Sequence, residues 1–122
     1  MKKSELENRL VRFSVDIIGM TKILDYSFAS QHLSKQIVRS GTSSALNYGE
    51  AQGSPTKKDF IHKISIVLRE LRETQINLKI IHDSGLCTDN KVIAEILNEN
   101  NQLVAIFTKT FQTARENELK ES

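Results

Sequence analysis

The sequence has few of the residues that form turns and disulfides: its 122 residues include one cysteine, one proline and five glycines. It has no tryptophan. A single cysteine excludes an internal disulfide framework and a cysteine-rich zinc site. So few prolines and glycines cannot supply the many turns of a β-sandwich or a barrel. No apolar run approaches the roughly 20 residues of a membrane span, and the charged start of the chain lacks the apolar region of a signal peptide. The composition therefore predicts an all-helical, cytoplasmic domain with no membrane partner.

The charges are nearly balanced overall but are unevenly distributed along the chain. The net charge is +2, from 17 basic and 15 acidic residues. Residues 31–80 carry eight basic and four acidic side chains (+4), whereas residues 81–122 carry four basic and seven acidic side chains (−3). One interpretation is that the two halves pair with each other, within or between subunits. The other is that the basic middle contacts the phosphates of a nucleic acid.

Apolar side chains recur at alternating steps of three and four in four successive segments, which is the pattern of amphipathic helices. The segments predict helices over about residues 4–25, 30–50, 55–84 and 89–116. Only short breaks separate them, and consecutive helices joined by short loops pack as neighbours. The sequence therefore predicts a single all-α domain over residues 1–122, folded as an up-down-up-down four-helix bundle.

The second predicted helix has a run of small residues, 40–45, in the middle of its apolar stripe. Gly, Ser and Thr each weaken a helix by a few tenths to about 1 kcal/mol. A helix that keeps them is expected to have a neighbouring helix close to Gly41 and Ser44; the alternative is a break in the helix here. Asn47 and Glu50 are predicted to fix the loop that leads to the third helix.

The third predicted helix has more apolar side chains than one core-facing stripe requires. At about 100° per residue, several of them fall on the flanks of that stripe or opposite to it. These residues are Ile61, Ile66, Leu68, Ile76 and Ile80. Either the helix is central and covered on several sides, or it lies at a subunit interface. We favour the interface, because a surface helix of a monomer seldom exposes so many isoleucines, and therefore predict a homo-oligomer.

The same helix also carries a basic stripe, formed by Lys58, His62, Arg69 and Arg72 together with Ser65 at steps of three and four. This spacing places the five residues on one outward face. Repeated by symmetry in an oligomer, such a stripe could bind the phosphates of RNA or DNA. The alternative is a solvated face that forms ion pairs between subunits.

No set of residues in the sequence supports a catalytic or cofactor site. A di-iron helical bundle needs Glu-x-x-His pairs on two helices, and only Asp59 and His62 resemble one such pair. Cys87 lies in a turn, and the sequence supplies no base or oxyanion donors that would make it a nucleophile. Phosphate-binding glycine loops are absent from the sequence. We expect no metal, no cofactor and no enzymatic activity.

Two long motifs resemble the bacterial family of four-helix-bundle proteins first noticed as reading frames in intervening sequences of 23S rRNA genes. The first motif is QIVRSGTSSALNYGEA at residues 36–51, and it is similar to the second-helix signature of the family. The second is DFIHKISIVLRELRET at residues 59–74, with LKII at residues 78–81, and it is similar to the third-helix signature. The resemblance covers roughly residues 5 to 115.

The resemblance implies an up-down four-helix bundle that assembles as a ring-like homopentamer. A related branch serves as the accessory protein of diversity-generating retroelements, where it binds a reverse transcriptase and nucleic acid. The family has no established catalytic activity. We therefore expect a non-enzymatic, oligomeric platform that binds nucleic acid or protein. The alternative is a purely structural scaffold, such as a reverse-transcriptase accessory protein, without nucleic-acid affinity of its own.

Overall fold

A computed structural model describes residues 1–121 and contains four α-helices. They are α1 (Lys3–Thr21), α2 (Phe28–Gln52), α3 (Lys57–Asp83) and α4 (Asn90–Glu121). The described residues contain no β-strand beyond one isolated bridge between Leu24 and Cys87. The predicted all-α class is confirmed. None of the four helices combines the length and the apolar character needed to cross a lipid bilayer.

Two helix ends differ from the prediction by more than two residues. α1 ends at Thr21 rather than near residue 25, because the residues that follow bond to the loop between α3 and α4 instead of continuing the helix. The Asp25 amide donates to the Leu86 carbonyl at 3.0 Å, and the Thr88 amide and hydroxyl donate to the Ile23 carbonyl at 3.3 and 2.9 Å. α4 runs beyond residue 116 because the charged residues there are good helix formers.

The starts and ends of the central helices have identifiable caps. The Ser27 hydroxyl accepts the Ser30 amide at 3.1 Å and begins α2, and the Thr56 hydroxyl accepts the Asp59 amide at 3.1 Å and begins α3. Gly85 follows the end of α3 with a φ of +68°, a left-handed conformation that favours glycine. α2 continues without interruption through its small residues, so the break considered there does not occur.

The helices surround one apolar core, to which each contributes a stripe of side chains. α2 packs against α1 and α3, and α4 packs against α3 and α1. Phe13, Ile37, Leu71 and Phe107 are among the fully buried core residues. Tyr48 of α2 meets the Phe107 ring edge-on, with 5.4 Å between the ring centroids, and burial raises the pKa of its hydroxyl.

Small residues bring α2 close to its neighbours. A Cβ atom placed on Gly41 would lie 3.3 Å from Cγ1 of Ile17 on α1. The buried Ser14 hydroxyl of α1 donates to the Gly41 carbonyl at 3.2 Å. On the other side, the Thr74 hydroxyl of α3 donates to Oγ of Ser40 at 2.8 Å. The polar groups of these small residues are therefore satisfied where the helices approach most closely.

We predict that Gly41→Leu destabilises the fold, because the added side chain overlaps Ile17 and the surrounding core. Overpacking of this kind costs about 1–3 kcal/mol. Gly49→Leu is the matched control, since Gly49 is exposed on the same helix and a Cβ atom there meets only the Glu7 side chain, at 3.9 Å. The control reports the gain in helix propensity outside the core. Thermal unfolding should show a lower melting temperature for Gly41→Leu and none of this loss for Gly49→Leu. An equal melting temperature for the two variants would contradict close packing at Gly41.

Candidate functional site

The outward side of α3 presents one continuous row of exposed residues. The basic stripe of Lys58, His62, Arg69 and Arg72 is exposed along its length, with Ser65 half-buried between them. The spacing of three and four continues past Arg72 into two exposed isoleucines, which we call the isoleucine row: Ile76 and Ile80. We call the stripe and the row together the α3 face. Its first half is basic and its second half is apolar.

Three carboxylates are adjacent in sequence to residues of the basic stripe: Asp59 accepts the Thr56 hydroxyl, and Glu70 and Glu73 are bound to α2. The Arg39 guanidinium donates to Glu70 at 3.2 Å and to Glu73 at 2.6 Å, and both contacts raise the pKa of Arg39. The Glu70 side chain is only 8% exposed, so this ion pair is largely desolvated on the carboxylate side. Neither Glu70 nor Glu73 is therefore available to neutralise the stripe.

Three cations of the basic stripe lack a carboxylate partner. Among the residues that the structure describes, no ion pair forms at Lys58, Arg69 or Arg72. The neighbouring Lys63 points away from the stripe and donates to Glu50 of α2 at 2.8 Å. These three cations therefore face the solvent without an ion pair in the part of the chain that the structure describes.

The structure places the two predicted loop-fixing residues differently. Glu50 ties the end of α2 to α3 through Lys63, across the loop. Asn47 does not reach the loop, because its amide donates to the carbonyl and the hydroxyl of Ser43, both at 2.9 Å, one turn back in the same helix. An asparagine side chain inside a helix readily forms hydrogen bonds with the backbone of the preceding turn, which is closer than the loop.

The predicted interface residues divide between the surface and the core. Ile76 is 53% exposed and Ile80 is 45% exposed. Ile61 and Ile66 are half-buried on the flanks of α3. Leu68 belongs to the core of the bundle and is not available to a second subunit, because the stripe that α3 buries is wider than the sequence pattern indicated.

The other reactive side chains are engaged in structural contacts. The Asp59 carboxylate accepts the Thr56 hydroxyl at 2.7 Å in the cap of α3. The Cys87 thiol is buried and unpaired, and it donates to the Asp89 carbonyl at 3.3 Å. Within residues 1–121, no three His, Cys, Asp or Glu side chains come together as a metal site.

Sequence reasoning missed two exposed features. Val11, Val15 and Ile18 form an exposed apolar stripe on α1, which we call the α1 stripe. Their steps of four and three were a signal in the sequence, but the stronger core stripe of the same helix concealed it. Tyr26, in the loop between α1 and α2, and Phe28, the first residue of α2, are almost fully exposed. The Phe28 ring stacks on His32 with 6.5 Å between the ring centroids.

These features define a small helical bundle with a divided outer face, basic in one half and apolar in the other. The chain matches the family model described as 23S rRNA-intervening sequence protein over residues 2–109, and it belongs to that family. The chain is also similar to the crystal structure of a protein of unknown function from the S23 ribosomal protein family of Bacteroides thetaiotaomicron. The TM-score is 0.81 and the identity is 28%, covering 92% of this chain and 99% of that chain. No curated protein matches the chain. The resemblance noted in the sequence is confirmed.

We predict that Arg39→Met lowers stability, because it leaves the Glu70 carboxylate buried without its guanidinium. An unsatisfied buried group of this kind costs about 1–3 kcal/mol. Replacing both residues, Arg39→Met with Glu70→Met, should restore most of the loss, since no buried charge remains.

The matched control for this prediction is Arg12→Met, whose ion pair with Asp16 is solvent-exposed at 3.7 Å. Exposed pairs contribute about 0–1 kcal/mol. Urea unfolding of the wild type and the three variants measures the differences. The interpretation is wrong if Arg39→Met unfolds at the same urea concentration as Arg12→Met.

Proposed function

We propose that this protein is a non-enzymatic, cytoplasmic homo-oligomer that binds nucleic acid through the basic stripe of α3. The observation that carries the proposal is the absence, among the described residues, of any carboxylate partner for Lys58, Arg69 and Arg72. Solvent-exposed cations at regular spacing along a rigid helix are suited to the regular charges of a phosphate backbone. RNA and DNA both present such charges.

The proposed topology is the up-down-up-down bundle. Contacts between α2 and α3 support this topology, because their order along one helix is the reverse of their order along the other. From α2 to α3, Glu50 bonds to Lys63 and Arg39 bonds to Glu73, so later residues of α2 meet earlier residues of α3. Short connections between the helices also favour antiparallel neighbours.

The proposed oligomer places the isoleucine row in a subunit contact. Ile76 and Ile80 are large, apolar and about half exposed, although α3 already buries a wide stripe in the core. The number of subunits comes from the family resemblance alone, which implies a pentamer. In a cyclic assembly the basic stripe would recur once per subunit, so individually weak phosphate contacts would add through multivalency.

A second candidate function uses the same face for a protein partner. The observation that favours it is the apolar second half of the α3 face, since exposed apolar rows mark protein contacts. A scaffold of this kind, such as an accessory protein of a reverse transcriptase, would need no affinity for nucleic acid. The two functions differ in their dependence on salt, because phosphate contacts weaken steeply as salt is added.

We predict that Arg69→Glu with Arg72→Glu abolishes binding to RNA at low salt, because it replaces two phosphate-binding cations with anions. Fluorescence titration of a labelled structured RNA measures the affinity across a salt series. The wild-type affinity should fall as a straight line of log K against log salt, with a slope that reflects the number of phosphates contacted.

The matched control is Lys91→Glu with Lys109→Glu, which makes the same change of charge at two exposed positions of α4. This control should retain RNA binding, and both double variants should keep the subunit number of the wild type. Two results would reject the proposal: no wild-type binding at low salt to structured RNA or duplex DNA, or equal binding by the two double variants. Loss of assembly in Arg69→Glu with Arg72→Glu, without wild-type RNA binding, would identify the stripe as an ion-pair surface between subunits.

A further inference from the structure

Two large aromatic side chains are exposed to solvent where α1 connects to α2. Tyr26 is 94% exposed and Phe28 is 85% exposed. Within residues 1–121, the Tyr26 ring contacts no other ring and its hydroxyl forms no hydrogen bond. An exposed aromatic ring offers a large, flat contact surface with few rotatable bonds to immobilise. The connection is therefore a candidate contact site for a flat ligand.

The backbone on both sides of Tyr26 is held in place. The Asp25 amide donates to the Leu86 carbonyl at 3.0 Å. The Asp25 carboxylate accepts the Ser27 amide at 3.0 Å and the Ser30 hydroxyl at 2.6 Å. The ring is thus carried by a fixed segment, so binding to it costs little ordering of the chain.

Tyr26 lines a groove of about 360 Å³ between the end of α1 and the start of α2, which we call the α1–α2 groove. Pockets for small molecules have volumes of about 300–1,000 Å³, so the groove has the size of a site for one nucleotide unit. Lys22 and Lys35 also line it, together with the polar side chains of Gln31 and Ser34. The groove therefore combines an aromatic ring, two cations and neutral hydrogen-bonding groups.

The charges that line the α1–α2 groove are two cations and one anion. Lys22 and Lys35 are exposed, and neither forms an ion pair in the described part of the chain. The anion is Asp25, whose pKa is lowered by the hydrogen bonds from Ser27 and Ser30. These bonds engage its carboxylate within the loop, whereas the two lysines remain available to a ligand.

The elements around the groove add little negative charge. α2 has no acidic residue before Glu50, near its far end. In the adjoining loop between α3 and α4, the Asp89 carboxylate accepts amides at the start of α4, and Asp83 contacts His82. Neither of these two aspartates lines the groove. The groove therefore fits a ligand that has a flat ring and an anionic group.

We propose that the α1–α2 groove binds an unpaired nucleotide of a single-stranded nucleic acid, with its base stacked on Tyr26 and its phosphates at Lys22 and Lys35. Aromatic rings beside a cationic groove are the general means of binding single strands, because every base has a face that can stack. Bases inside a duplex are already stacked on each other, so only an unpaired base can take this place. The site goes beyond the function proposed above, since it distinguishes single strands from duplexes, whereas the basic stripe contacts phosphates alone.

Tyr26→Ala tests the stacking contact. The single-stranded probe is a fluorescein-labelled oligothymidylate of about 12 nucleotides, within the range of single-strand site sizes, and the duplex probe is the same strand annealed to oligoadenylate. Fluorescence anisotropy measures both affinities. Tyr26→Ala should weaken binding of the single strand by about 5- to 150-fold, which corresponds to the loss of one stacked base. Binding of the duplex should not change.

Two matched variants control for the loss of the side chain. Tyr26→Phe keeps the ring and should retain most of the affinity for the single strand. Leu46→Ala removes another exposed apolar side chain of α2, 68% exposed, and should bind like the wild type. Circular dichroism checks that each variant is folded.

Lys22→Met with Lys35→Met tests the phosphate contacts. Each phosphate contacted on a single strand contributes about 0.7 to the slope of log K against log salt. The double variant should therefore reduce the slope for oligothymidylate by about 1.4. Lys2→Met with Lys109→Met, at two exposed lysines that do not line the groove, should leave the slope unchanged.

Tyrosine fluorescence gives a readout at the site itself. The chain has two tyrosines and no tryptophan, and Tyr48 is buried against Phe107. A base stacked on Tyr26 should quench the emission of this ring. Unlabelled oligothymidylate should therefore quench the wild type and leave the emission of Tyr26→Ala unchanged.

Three results would overturn this site. They are no binding of oligothymidylate by the wild type at low salt, equal binding by the wild type and Tyr26→Ala, and a smaller assembly for Tyr26→Ala than for the wild type in native mass spectrometry. The last result would assign the exposed aromatic rings to a contact between copies of the chain.

The same titrations separate this site from the basic stripe. If Arg69→Glu with Arg72→Glu binds the single strand like the wild type, and Tyr26→Ala does not, the α1–α2 groove stands and the stripe is rejected. If duplex binding requires the two arginines and single-strand binding is indifferent to Tyr26, the stripe stands and the groove is rejected.

Discussion

The close approach of α2 to α1 and α3 is the constraint on which the rest of this structure depends. It requires small residues at the contact, and Gly41, Ser40 and Ser44 are all fully buried there. It also requires that their polar groups be satisfied inside the bundle. The Ser44 hydroxyl donates to the Gly41 carbonyl at 2.7 Å, and the Ser14 hydroxyl donates to the same carbonyl from α1. Hydrogen bonds to neighbouring carbonyls make such a polar contact compatible with burial.

This packing determines which surfaces remain exposed. Because α2 and α4 both pack against the inner sides of α1 and α3, the outer sides of α1 and α3 face away from the core. Their apolar residues, the α1 stripe and the isoleucine row, then stay in contact with water. On the rim between α2 and α3, Arg39 binds Glu70 and Glu73, and Lys58, Arg69 and Arg72 of the basic stripe form no ion pair within residues 1–121. The charge and the apolar character of the α3 face are therefore direct consequences of how the bundle is packed.

The four helices could be predicted from the sequence because core stripes with a period near 3.6 are strong and long. The end of α1 could not be predicted, because it depends on hydrogen bonds to a loop more than 60 residues further along the chain. One of these bonds runs from the Thr88 hydroxyl to the Ile23 carbonyl. Leu68 was assigned to the surface because helix angles alone do not reveal how wide a stripe the neighbouring helices cover. The α1 stripe was missed for the related reason that α1 is apolar on two sides, and a search for the best single stripe finds only the core.

The most direct test of this account is the absolute mass of the wild-type protein in solution. The account holds that the packing of one chain leaves the isoleucine row of α3 exposed and that further copies cover this row. Light scattering across the micromolar range should then give a whole-number multiple of 13.8 kDa, greater than one. The family resemblance sets the expected multiple at five. A mass of 13.8 kDa that does not change with concentration would contradict the account, because the isoleucine row would then stay exposed to water.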